Sequence, residues 1–202
     1  MHEDIATNVR PDLTRRALGG RLLPALALAG LAGAAALRPR RAEAATRAEI
    51  DAEVNAALLR LRGMDNARPL FGPAKAVLVF PRVISGGFIV GGQYGEGALL
   101  RGSTIVGYYN IAGASLGLLA GAQSAGLAMF FMTDAALNTL LNAADGWEIG
   151  TGPSVVVLDQ GVQANVTATT LAEPVYAITF NQQGLMAALA LNGTKITRIN
   201  PG

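Results

Sequence analysis

The sequence predicts an α+β domain: a mainly antiparallel, barrel-like sheet of many short strands, with an N-terminal amphipathic helix and a second short helix. Three observations carry this reading. Residues 46–63 repeat apolar side chains at helical spacing, the period shortens to that of extended chain from residue 76 onward, and one helical stretch after Thr133 divides the strand-like segments into two groups.

The chain opens with a segment of another kind. Arg15 and Arg16 follow Thr14 as a twin-arginine pair, residues 22–37 form an uncharged run, and Ala42-Glu43-Ala44 fits a small-x-small cleavage site before Ala45. The run has 16 residues. As a helix it would span roughly 24 Å, short of the ~30 Å hydrocarbon core. Residues 1–44 therefore read as a cleaved twin-arginine-type signal peptide and 45–202 as a single domain, expected in the periplasm or secreted. An uncleaved membrane tether or a mispredicted start codon is the alternative.

The first element of the domain spans 46–63. Thr46 and Glu49 have capping-box spacing, Ile50, Val54, Ala57, Leu58 and Leu61 share one helical stripe, and Gly63 supplies a stop. Residues 64–75 read as a short irregular or helical link. Residues 76–80 are a continuous apolar strand that Pro81 is expected to end, followed by glycine-broken extended chain to residue 100. Extended segments continue to Met132. Thr133 then caps a second short helix that stops near Gly146. Further strands are expected at 147–150, 154–159, 165–170, 174–180 and 184–199, the last with Asn192-Gly193 as a type I′ hairpin turn.

Composition narrows the chemistry. There is no Cys and the single His, His2, lies in the expected signal segment, so a mature chain starting at Ala45 has neither. Thiol and histidine catalysis lose their usual groups and zinc its preferred ligands. The net charge of +2 also needs to be located: residues 1–44 hold seven Arg against four acids, residues 45–202 nine cations against ten acids. The domain is close to neutral, and the clustered cations of a nucleic-acid surface are missing. The glycines at 86, 87, 91, 92, 95 and 97 match neither the P-loop nor the dinucleotide frame and are expected to serve bulges and close packing. Among the acids only Glu96, inside an apolar, glycine-rich strand pair, stands in an unexpected place; it reads as a satisfied buried or pore-facing carboxylate rather than a catalyst.

Several of these motifs together are more specific than periodicity. Ala74-Lys75 leading to Phe80-Pro81, the glycine block at 86–97, Tyr108-Tyr109-Asn110, Gly121-Ala122-Gln123, Met132-Thr133-Asp134 and Gly146-Trp147 closely resemble the SYLF domain family of lipid-binding proteins. The resemblance covers about residues 46–200. It implies a lipid-binding domain, exported in bacterial members, phosphoinositide-binding in fungal and animal ones and actin-binding in yeast. The animal members' basic amphipathic helix corresponds to 46–62 here, where Arg47, Arg60 and Arg62 are offset by Glu49, Asp51 and Glu53, so inositide specificity does not transfer.

The expectation is an exported, non-catalytic phospholipid-binding protein of the bacterial cell envelope, with no cofactor or metal and a phospholipid or membrane surface as partner. A structural or protein-interaction module of the envelope is the alternative, and a carboxylate-dependent hydrolase a distant one. The candidate lipid-binding residues are Lys75, Arg82, Phe88, Arg60 and Arg62. Lys75 and Arg82 bracket the apolar strand at most roughly 23 Å apart, so they would not share one headgroup. Arg60 and Arg62 are about 200° apart around the helix and diverge.

Overall fold

The structure, a computed structural model, describes residues 45–88, 90–116, 123–158, 171–183 and 191–202. The expected signal peptide with Arg15, Arg16, Ala42 and Ala44, the strand at 165–170 and the Gly121-Ala122 motif lie outside the described residues.

The chain first forms α1 (Arg47–Arg62), and the five residues it buries are Ile50, Val54, Ala57, Leu58 and Leu61, the stripe read from spacing. Thr46 caps it. The Thr46 hydroxyl accepts from the Glu49 amide while the Glu49 carboxylate accepts from the Thr46 amide, which satisfies two otherwise orphaned donors. Gly63 ends the helix in a right-handed conformation (φ −83°) rather than the left-handed one expected of a glycine stop, its amide reaching Arg60 and Leu61. A 3-10 turn at Arg68–Leu70 leads into the sheet.

Eight strands follow among the described residues: β1 (Ala76–Phe88), β2 (Val90–Arg101), β3 (Thr104–Leu116), β4 (Gln123–Phe131), β5 (Trp147–Glu148), β6 (Val155–Leu158), β7 (Val175–Gln183) and β8 (Lys195–Ile199), with α2 (Asp134–Asn142) between β4 and β5. They form one curled sheet in the order β5-β8-β3-β2-β1-β4-β7-β6. All pairings are antiparallel except β6 with β7. The α+β, mainly antiparallel reading holds.

Both faces of the sheet are covered, which explains why its central strands read as continuous apolar runs. Val77, Val79, Ala98, Ala128 and Phe130 pack with the buried stripe of α1. Their alternating neighbours Ala76, Leu78, Phe80, Leu99, Leu127 and Met129 pack with Leu137 and Leu140 of α2 and with Trp147. Thr133 caps α2 by accepting from the Ala136 amide at 3.2 Å.

Pro81 does not end the first strand. β1 runs on to Phe88, and Pro81 sits in a bulge: between Val79 and Arg82 it advances three residues while β2 advances two, from Ala98 to Glu96. The same extra residue appears against β4 between Phe80 and Val83. A proline has no ladder donor to lose at a bulge, so a central strand tolerates it there. Gly97 and Gly126 flank the bulge on the two neighbouring strands. A Cβ on Gly97 would strike the Val79 carbonyl and one on Gly126 the Phe180 ring.

The Asn192-Gly193 turn also differs from expectation. Gly193 is left-handed (φ 77°), but among the described residues the only non-glycine with positive φ is Asn181, so the two left-handed residues of a type I′ turn are not both present. The turn is closed by the Thr194 amide donating to Leu191.

Candidate functional site

The bulge in β1 changes which side chains face α1. Before it, odd-numbered residues (Val77, Val79) face the helix; after it, Val83 joins the opposite cluster and Arg82 and Ile84 take the helix side. Without the extra residue Arg82 would point into the core packed under α2. On α1, Glu53, Ala56, Ala57 and Arg60 recur at helical spacing and form the facing wall. Together they bound an open cleft of about 540 Å³.

The floor of the cleft comes from β4 and β7, including Ser124, Phe180 and Asn181. β7 carries a second bulge there: from Phe180 to Gln183 it advances three residues while β4 advances two. Asn181 absorbs it in the left-handed region (φ 53°), a conformation whose cost the surrounding sheet must hold in place. Two irregularities of the sheet thus converge on one cleft.

The five residues predicted from sequence are distributed as follows. Arg60 and Arg82, both exposed, line this cleft together. Arg62 lies in a smaller cleft of about 290 Å³ with Leu58, Leu59 and Leu100, its guanidinium 5.6 Å from the Phe71 ring centre. Lys75 is exposed just before β1, its amide donating to Phe131. Phe88 ends β1 opposite Val90 at the β1–β2 connection. Arg82, expected just beyond a strand that Pro81 ends, instead pairs with Glu96 within a strand that has neighbours on both sides. The sequence reading missed Glu53 and Asn181 as cleft residues.

Apolar side chains flank the cations. Ile84, in the cleft wall, is 53% exposed, and its cross-strand partner Tyr94 is 49% exposed. The Tyr94 hydroxyl donates to Glu96 Oε1 at 2.6 Å. Burial first, and then that bond to a carboxylate, raise the phenol above its ordinary value. Glu96 Oε2 accepts from the Ala45 amide at 3.0 Å, so this partly buried acid is satisfied, as its setting in the strand pair required. α1 is further tied to β3: the Tyr108 hydroxyl donates to Asp51 at 2.8 Å, and the Arg47 guanidinium lies 5.3 Å from the Tyr108 ring centre.

Among the described residues no group of three or more His, Cys, Asp or Glu side chains is placed to hold a metal, and no helix is long and apolar enough to cross a membrane. The family model Ysc84, described as Las17-binding protein actin regulator, matches residues 112–200. Those residues are thus similar to the Ysc84 (SYLF) domain, in agreement with the resemblance carried by the sequence motifs. No curated protein matches the chain. The Ysc84 match contributes Ser124, Phe180 and Asn181 to the cleft, while Arg60, Arg82 and Ile84 come from the chain before it.

Proposed function

We propose that the protein is an exported, non-catalytic phospholipid-contacting module of the bacterial cell envelope, and that the cleft between α1 and the β1 bulge receives an anionic headgroup. The observation that carries this reading is that Arg60 of α1 and Arg82 of β1 line one cleft together with the exposed Ile84. A guanidinium offers a planar fork of donors suited to phosphate. Exposed Ile84 and Tyr94 offer the apolar and amphipathic surface that an interface between headgroup and acyl chain accepts. Glu53 in the same wall limits the net positive charge, which favours binding dominated by apolar contact.

The actin connection in the family description has no counterpart in an exported bacterial protein, whereas lipid contact is compatible with export. The test is flotation of the purified protein with vesicles of phosphatidylglycerol and phosphatidylcholine. Bound protein is expected to fall only modestly as salt rises from about 0.05 to 0.2 M, because few charges are neutralised. Flotation should drop in Arg60→Ala with Arg82→Ala and persist in Arg62→Ala. Collapse with salt, or loss in Arg62→Ala alone, would overturn the cleft in favour of a basic-helix mode; absence of flotation under all conditions would favour a protein partner.

A further inference from the structure

Glu96 is the acid whose strand position no turn or helix end explains. Its two carboxylate oxygens have separate partners: Oε1 accepts from the Tyr94 hydroxyl at 2.6 Å and Oε2 from the Ala45 backbone nitrogen at 3.0 Å. The second contact joins positions 51 apart in sequence. Ala45 is also the residue that follows Ala42-Glu43-Ala44, the expected signal-peptide cleavage site. The nitrogen held by Glu96 is therefore the one that cleavage would convert from an amide to an α-amine.

We propose that Glu96 is the receptor for the processed N-terminus: after cleavage, the Ala45 α-ammonium forms an ion pair with its carboxylate. This rests on the export reading above. The step is peptide hydrolysis by a signal peptidase. The carbon–nitrogen bond between Ala44 and Ala45 breaks, water supplies the oxygen that makes the Ala44 carboxylate, and the released amine is protonated to an ammonium.

The setting suits that exchange. A neutral N–H donor to a carboxylate becomes a cationic donor with three protons, which adds the attraction of an ion pair to a bond already assisted by the carboxylate's charge. The cross-strand neighbours of Glu96 are Arg82 and Asn110, neither of which competes as a second acid. Thr46, the next residue, is the N-cap of α1, so the pair pins the start of that helix to β2. Because α1 supplies one wall of the cleft, processing would fix that wall in place.

The experiment uses protein purified from the cell envelope. Intact mass gives its first residue, and timed acylation by a succinimidyl ester at neutral pH, read by peptide mapping, gives the reactivity of the α-amine. The mass should place the start at Ala45. Acylation of that amine should be at least about tenfold faster in Glu96→Gln than in the wild type, the change in free-amine fraction that accompanies one pKa unit. Glu96→Asp, which keeps the charge but withdraws it by one methylene, should fall between them and serves if the Gln variant does not fold. Tyr94→Phe should leave the amine protected. A start at another residue would overturn both the cleavage reading and the docking. A start at Ala45 with equal acylation in wild type and Glu96 variants would overturn the docking alone.

Discussion

Gly97 lies against Val79 so closely that a side chain of any size on Gly97 would occupy the space of the Val79 carbonyl oxygen. The contact lies at the β1 bulge, where the register against β2 shifts between Val79 and Arg82. Gly97→Ala should therefore cost at least about 2 kcal/mol, the range of overpacking where no flexible atom can give way. Gly72→Ala, with nothing within 4 Å and no left-handed backbone, should be near neutral. The midpoints of urea unfolding compare the two, and equal midpoints would contradict the close approach.

The capping box of α1 makes a prediction about pH. The Thr46 amide first, and its hydroxyl second, hold the Glu49 carboxyl below its ordinary value of 4.5. A carboxyl depressed in the folded state adds stability that is fully present above its unfolded value and is lost as pH falls through the folded one. The difference in Tm between wild type and Glu49→Gln should be constant above 4.5 and shrink as pH is lowered below it. A difference that grows on acidification would contradict the box.

Tyr108 links α1 to the sheet through its hydroxyl on Asp51. Tyr108→Phe keeps the ring beneath Arg47 and removes that one bond, so a loss of about 1 kcal/mol is expected in chemical denaturation. A loss several times larger would mean that the ring, not the hydroxyl, had been disturbed.

Export is tested separately. Replacing Arg15 and Arg16 by Lys should leave full-length precursor in the cytoplasm, since the twin-arginine route depends on that pair. Unchanged appearance of processed protein in the envelope would remove the basis for this targeting.

Local features were legible in the sequence and non-local ones were not. The buried stripe of α1 and its Thr46–Glu49 cap follow from spacing within a single helix, and the structure reproduces both. Pro81 misleads because a missing ladder donor looks like a strand end unless the glycines that accommodate a bulge, Gly97 and Gly126, are known to lie beside it. The same bulge decides that Arg82 faces α1, so its meeting with Arg60 depends on a register that no local pattern records. Asn181 offers only the general tolerance of asparagine for left-handed backbone, and the strained position appears once β7 is aligned with β4.

The most direct test of the cleft places a reporter in its wall. The only tryptophan, Trp147, is buried beneath the opposite face of the sheet, where its indole donates to Thr151, so a second tryptophan can be distinguished from it. Ile84→Trp and Val157→Trp, both replacing exposed apolar residues, are titrated with phosphatidylglycerol vesicles whose acyl chains carry bromine. A blue shift and quenching are expected at position 84, with position 157 on the outer strand β6 unaffected. Quenching at 157 with none at 84 would contradict the cleft reading.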